Sequence, residues 1–475
     1  MRSAAPLMLL LALAGCMSGP NYSVPPVPAT AGFVAATPVT AGNQPLPEQW
    51  WRLYDDPALD ALVQQAFVAN TDVRVATANL RRARAVLSET KTLRLPTTDI
   101  NAAAGVSRQT VPTTSGPQGF DTDFYRLGFD MSYEIDLYGR VARSVEAARA
   151  DADAAAAERD VTLVAVAAEV ARAYADACSG ARQTAVAEES LKIQTQSFSL
   201  TEKQYSAGRG SRVEISRARA QLELTRATLP VYAANRRNAL YRLNVLIGQP
   251  PETPIPSAEA CQAPPRLKQP IPTGDGTALL KRRPDVRRAD RQLAAATARI
   301  GVETASLYPQ IKLGLGAATQ ALDPAQLFNS VGNSFSLGPL LNWTFPNIAA
   351  TKARIRQAEA TNEAALATFD GTVLTALQET ETALSNYAAG LDRNAALRAA
   401  RDESATAAKL VNLRYRIGAD AFLNVLDAQR TLADTEQQLA QSDADLSTAQ
   451  ITLFQALGGG WQNVPVAPPP AKAGK

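Results

Sequence analysis

The feature that most constrains this chain is an internal repeat. Asp72-Val73-Arg74 returns as Asp285-Val286-Arg287, with Ala76/Ala289, Leu80/Leu293 and Pro96/Pro309 in the same register, at an offset of 213 residues. Further along the offset falls to 210: Leu127-Gly128 meets Leu337-Gly338, Ala148 meets Ala358, Glu169 meets Glu379, and Tyr205-x-x-Gly208 meets Tyr415-x-x-Gly418, with Ala218/Ala428 and Leu222/Leu432 following. A register kept over so long a span describes two copies of one structural unit, so the fold must have internal two-fold similarity. The three-residue change in offset falls between the two strand patterns of each half, in a hairpin loop. The reading divides the chain into repeat 1 (56–247), a linker (248–280) and repeat 2 (281–457), flanked by an extended segment at 16–55 and a Pro-rich tail at 458–475.

The amino terminus speaks to compartment. Arg2 opens an apolar run, Leu7 to Ala14, too short to span a bilayer. It ends in Leu13-Ala14-Gly15-Cys16, a lipobox, in which small residues before a cysteine admit a lipoprotein signal peptidase. Residues 1–15 therefore read as a signal peptide, and Cys16 as the lipidated first residue of an exported protein. No later stretch has the roughly 18 uninterrupted apolar residues of a membrane-spanning helix.

Composition narrows the chemistry. The chain has no histidine and, besides Cys16, only Cys178 and Cys261, which disfavours a zinc site or a histidine-based catalytic triad. No cofactor and no enzymatic activity are expected. With 48 Lys+Arg against 45 Asp+Glu, the net charge of +3 gives no reason to expect a nucleic-acid partner. The basic cluster Lys281-Arg282-Arg283, with Arg287, Arg288 and Arg291, reads as the solvated start of a helix whose first turn holds Pro284.

Four segments alternate with period two. Leu127, Phe129, Met131, Tyr133 and Ile135 share one face of a strand, and Arg126, Gly128, Asp130, Ser132 and Glu134 the other. Phe335, Leu337, Leu341, Trp343 and Phe345 repeat the apolar row, interrupted at Pro339 and Leu340. Each is preceded by a partner, Ile100 to Val106 or Ile311 to Ala317, giving strands expected at about 98–107, 124–137, 310–319 and 334–346. About ten residues of such alternation suit a tilted membrane strand, apolar side outward and polar side toward a lumen. Four strands cannot close a barrel, and open edges in hydrocarbon leave backbone groups unsatisfied at several kcal/mol each, so the chain is expected to oligomerise. Three copies supply twelve strands. Tyr133, Tyr138, Trp343 and Phe345 fall where an interfacial aromatic girdle belongs.

The remaining segments are long, Ala-rich helices. Arg140 to about Ala207 contains no proline and one internal glycine, Gly180, and at ~1.5 Å per residue approaches ~100 Å. About Ala350 to Arg416 repeats it. Each ends at a glycine turn, Ala207-Gly208-Arg209-Gly210 or Ile417-Gly418, and returns through Ser211 to Leu246 or Ala421 to Leu457. Shorter helices, Asp72 to Leu93 and Asp285 to Leu307, precede the strands.

With these elements in view, the chain resembles the TolC-type outer-membrane factors of tripartite efflux systems, in their lipoprotein branch. The resemblance rests on Cys16 followed by Pro20-x-Tyr22-x-x-Pro25, on Trp50-Trp51-Arg52-Leu53-Tyr54-x-Asp56-Pro57-x-Leu59-x-x-Leu62, on Tyr133-Glu134-Ile135-Asp136-Leu137-Tyr138-Gly139-Arg140, on Arg283-Pro284-Asp285-Val286-Arg287, on Leu307-Tyr308-Pro309, and on Tyr415-Arg416-x-Gly418 leading to Leu426-Asp427-Ala428-Gln429. It implies an α+β membrane protein: a homotrimeric 12-strand β-barrel, four strands per chain, in the outer membrane of a Gram-negative bacterium, continued by a long α-helical barrel through the periplasm. The partners it implies are a periplasmic adapter, an inner-membrane RND pump and outer-membrane lipid. The turns at Gly208, Arg209, Gly210 and Gly418 correspond to the adapter-docking tips. Asp420 and Asp427 match gate and selectivity carboxylates, and Asn424 stands where some members have aspartate. Asp420 equally suits a cap on the returning helix. The same fold also serves as the outlet of type I protein secretion; a lipid-anchored periplasmic scaffold is the reading from another class.

Counting by helical rise from the turn at Ala207 brings Cys178 and the linker residue Cys261 to a similar level. Two arrangements fit: a disulfide, which an oxidising periplasm permits, or a small buried Cys178 beside a free thiol.

Overall fold

The computed structural model describes residues 17–27, 32–35, 46–114, 116–267, 269–273, 276–329, 332–346 and 348–462; the signal peptide, Cys16 and the tail from 463 onward lie outside the described residues. The elements are α1 (Pro57–Ala69), α2 (Thr71–Thr92), β1 (Thr97–Thr113), β2 (Gly116–Ile135), α3 (Arg140–Ser206), α4 (Arg212–Leu246), α5 (Pro256–Glu259), α6 (Gly276–Arg282), α7 (Pro284–Ala305), β3 (Gln310–Ala321), β4 (Asn333–Asn342), α8 (Ile348–Arg416) and α9 (Phe422–Ala456). They form two compact units, and both sequence repeats contribute to each. One unit takes the chain up to Pro25 with Asn79–Ala156 and Arg288–Asp370; the other takes Pro26–Ala78, Ala157–Arg287 and the chain from Gly371.

The first unit carries an antiparallel sheet in the order β1-β2-β3-β4. Its register places the expected rows on common faces. Ile100, Phe129, Ala317 and Phe335 are cross-strand neighbours on one face, as are Met131, Leu315 and Leu337; Asp99, Asp130, Gly316 and Ser336 line up on the other. Thr97 pairs with Ser132 and Gln310 with Asn342, so the first hairpin is three residues longer than the second, as the offsets require.

Three strand boundaries are corrected. β1 and β2 run to Thr113 and from Gly116, well beyond 98–107 and 124, because their pairing continues through a polar stretch where no apolar alternation marks a strand. β4 stops at Asn342 rather than 346. There the N–H of Phe345 turns back to the carbonyl of Trp343 at 3.0 Å, and Pro346 has no N–H to give a ladder. The extended segment at 16–55 contains a 3-10 helix, Trp50–Tyr54, and the linker at 248–280 contains α5 and the start of α6.

Beyond the strands, Asp136 accepts the N–H groups of Val141 and Ala142 at 3.0 and 2.7 Å, satisfying donors that the start of α3 leaves open. Tyr138 stacks on Tyr308 at 4.4 Å and Trp343 on Phe345 at 4.9 Å, at the strand ends where a girdle was expected.

The second unit is built on the Trp50-Trp51 motif, whose role is packing. Trp50 is fully buried and stacks on Phe454 at 4.7 Å; Trp51 meets Phe67 edge-on at 5.6 Å and donates to Asp60 at 2.8 Å. Asp56 caps α1 through the N–H of Ala58 and Leu59 and also accepts Tyr174 Oη at 2.9 Å. Leu59, Leu62, Val63, Ala66 and Phe67 are the buried stripe of α1, at helical spacing. Gly180 marks a close helix approach, since a Cβ there would lie 2.9 Å from Arg236.

Arg283 corrects the reading of the basic cluster. It is 6% exposed, donates to the Ala456 carbonyl at 2.8 Å and pairs with Asp285 and Glu379 at 2.7 and 2.6 Å, while Arg282 donates to the Leu457 carbonyl at 3.0 Å. The two arginines satisfy carbonyls left open at the end of α9.

Trp50→Ala empties a fully buried site and is expected to cost about 3–5 kcal/mol. It should sharply lower the thermal midpoint of the detergent-solubilised protein; an unchanged midpoint would remove Trp50 from the core that holds this unit.

Candidate functional site

Both long helices end in the same hydrogen-bonded turn. Gly208 N–H donates to Tyr205 O and Arg209 N–H to Gln204 O, at 2.9 and 2.8 Å; Gly418 and Ala419 repeat this with Tyr415 and Arg414, both at 2.9 Å. This nested pair of bonds needs a left-handed residue, and Gly208 and Gly418 supply it at φ 71° and 76°.

The turns then diverge. In the first, Ser211 is the N-cap of α4 and forms a capping box with Glu214. In the second, the equivalent positions are Ala421 and Asn424, and the N-cap Ala421 makes no side-chain bond. Asp420, one residue earlier, takes over. It accepts the N–H of Ala421 at 2.9 Å and the amide of Asn424, and faces Arg414 at 3.3 Å. Asp420 is therefore not the N-cap itself. These contacts, led by the Asn424 amide and followed by the Ala421 N–H, hold its carboxyl below the usual carboxylate range.

The two turns are held together in one small core. Phe422, Val425, Leu426 and Ala218 are buried there, with Phe198, Val411 and Tyr415 packed against them, and Tyr415 Oη donates to Gln204 at 2.6 Å. Burying Phe422, Val425 and Leu426 leaves Asn424 and Asp427 exposed on the other face of α9's first turns. Asp427 pairs only locally, with Arg430 at 3.2 Å.

A polar seam leading to the tip was not anticipated. Gln183, Ser190, Gln194, Ser197 and Thr201 of α3 are buried, Gln183 bonding Gln441 at 3.0 Å and Ser197 bonding Gln429 at 2.8 Å. From Ser190 on they alternate spacings of four and three, and the buried Ala187 fills the gap back to Gln183; that periodicity was the available signal, masked because seams are normally recognised by apolar residues.

Cys178, fully buried on α3, and Cys261 have sulfurs 2.08 Å apart and Cα atoms 5.1 Å apart. Cys16 lies outside the described residues, but the residues after it are firmly placed. Ser18 N–H donates to Tyr138 O at 3.1 Å, and Arg143, 1% exposed, donates to the Ser18 and Gly19 carbonyls and to Asn21. Tyr22 Oη donates to Asp290, with Arg291 5.7 Å from its ring centre.

A carboxylate whose folded pKa is lowered contributes order above its unfolded pKa, and that order is lost as pH falls through the lower, folded value. Amide protection around Ala421 should therefore hold from neutral pH to below the ordinary aspartate value of about 3.9 before it falls. Asp420→Asn should abolish that acid step in hydrogen exchange; an identical pH profile would show that Asp420 does not order the turn.

Comparison with known proteins places these features. The outer membrane efflux protein family model matches residues 62–249 and 277–459. The probable efflux pump outer membrane protein TtgC of Pseudomonas putida is 30% identical over 94% of this chain and 93% of its own length. The outer membrane protein OprJ of Pseudomonas aeruginosa is 30% identical over 96% and 95%. Among solved structures, the outer-membrane channel OprN superposes with a TM-score of 0.89 at 34% identity, covering 94% of this chain and all of that one. The open-state MtrE channel of Neisseria gonorrhoeae gives 0.80 at 28% identity, covering 94% and 99%. The motifs, the four-stranded sheet and the paired helix turns thus have one common setting: the chain belongs to the outer membrane efflux protein family.

Proposed function

We propose that this protein is the outer-membrane exit duct of a tripartite efflux system, a passive homotrimer fed by an inner-membrane RND-type pump through a periplasmic adapter. One observation carries the reading: a four-stranded sheet with an apolar face, a polar face and two open edges, β1 and β4. In hydrocarbon those edges need partners, and β4 of one copy beside β1 of the next closes twelve strands around a polar lumen. The protein itself supplies no energy, so direction comes from the pump.

The turns at Gly208, Arg209, Gly210 and Gly418 serve as the adapter-docking tips. Three-fold symmetry makes rings of Asp420, Asn424 and Asp427 around one axis, which favours cations and sets the charge of the periplasmic gate. Lipid on Cys16 anchors the chain at the membrane surface. The bond from Ser18 to Tyr138 supports this, because it holds the start of the mature chain beside aromatic side chains suited to the interface. The Cys178–Cys261 bridge closes a loop across 83 residues, and in the chain-entropy model a loop of that length stabilises by about 4.5 kcal/mol.

The wild type should conduct in planar bilayers, and replacing Asp420 and Asp427 together by Asn should reduce its preference for cations while trimers persist in detergent. Selectivity and conductance unchanged by the double substitution would confine both carboxylates to the local bonds described above. Intact mass of the membrane-extracted protein should show a diacylglyceryl-modified Cys16 as first residue; a mature chain beginning elsewhere would rule out the anchor.

A further inference from the structure

The β1–β2 hairpin outgrows its sheet. β2 pairs with β3 only from Ile135 to Tyr125, whereas β1 and β2 remain paired to Thr113 and Gly116, so a two-stranded ribbon projects past the last four-stranded row. The eleven residues from Ile135 to Tyr125 span, over the steps between them, ~33 Å along a strand and, at a tilt of ~40°, ~25 Å of membrane, the height of a barrel's apolar band. The ribbon therefore begins where the hydrocarbon ends.

At that point each row changes character, although Val106 stays on the outward row and Ser107, Gln109 and Thr122 stay on the other. The row that is apolar lower down, through Ile135, Tyr133, Met131, Phe129 and Leu127, continues past Tyr125 into Asp123 and then the cross-strand pair Arg108–Asp121, whose side chains approach to 3.4 Å and are 72% and 60% exposed. The row that is polar lower down, through Ser132, Asp130 and Arg126, continues into Phe124 and Phe120. Phe124 lies over Gly105 of β1, where an added Cβ would come within 3.1 Å of its ring, and Phe120 stands opposite Gln109 with half its surface exposed. An outward charged pair fits water outside the bilayer. Two phenylalanines on the lumen row have no lipid to face, and neither belongs to the aromatic girdle at the opposite strand ends.

We propose that Phe120 and Phe124 of the three protomers form an aromatic collar lining the external mouth of the duct, an apolar surface that takes up apolar and amphipathic cargo on its way out. The proposal rests on the trimeric channel reading above. Aromatic faces suit this cargo because they offer contact area to flat or cationic apolar molecules without specific hydrogen bonds.

Cysteines placed singly at Phe120, Phe124 and, as the control on the outward face, Asp121 test the placement in planar bilayers. A methanethiosulfonate bearing a quaternary ammonium, added from the external side, should lower the conductance of the Phe120→Cys and Phe124→Cys channels in three steps, one per protomer. It should label Asp121→Cys without steps. Fully labelled channels with no steps at 120 or 124, or equal steps at 121, would overturn the collar while leaving the channel intact. A wild type that never conducts would overturn the channel reading and the collar with it. For cargo class, tetraphenylphosphonium should block wild-type current from the external side, and the Phe120→Ser/Phe124→Ser channel should lose that block; equal block in both would show that the rings do not contact apolar cargo.

Discussion

The structure depends on one requirement: every backbone N–H and C=O of a sheet in hydrocarbon must be paired. A helix meets it alone and a sheet does not. The described residues hold four strands, with β1 and β4 as open edges, so in hydrocarbon the sheet needs further copies of the chain to complete its pairing. The same requirement explains the alternation of the strands. One face must accept lipid and the other water, and the register keeps each row on its face across all four strands.

Sequence duplication then acquires a physical meaning. Neither repeat is a folding unit, since both compact units draw on both copies. Arg283, at the start of repeat 2, donates to the Ala456 carbonyl at that repeat's own far end and pairs with Glu379 of α8. Trp50, which precedes both repeats, stacks on Phe454 at the close of the second. Segments outside the repeats are therefore keystones for them. The Trp50-Trp51 motif thus has a packing role, stacked on Phe454 and set edge-on to Phe67.

The sequence was most legible where periodicity and punctuation agree. The long helices begin and end within two residues of expectation because Arg140, Gly208 and Gly418 stand beside abrupt changes of pattern. It was least legible where pairing persists without a regular apolar alternation, as from Arg108 to Thr113 and from Gly116 to Asp123, or where charge is buried, as at Arg283. Asp420 and Asn424 were found by resemblance, but the bond between them and the pairing of Asp420 with Arg414 were not. Three residues gathered by a turn leave no spacing signal separate from the turn itself.

The two tip turns show how duplication allows specialisation. Ser211 and Glu214 close the first with reciprocal bonds between side chain and backbone, a purely local device that adds no charge beyond one glutamate. The second copy has lost both residues, and Asp420 replaces them with a carboxylate held by an amide, an N–H and an arginine. Those contacts hold its carboxyl below the usual carboxylate range, so the ionised form is the one that orders this turn. Asp427 is exposed and pairs with its neighbour Arg430. A carboxylate that orders the turn beside one on the exposed helix face separates the holding of the turn from the charge it presents, and the first turn, closed by Ser211 and Glu214, is built differently.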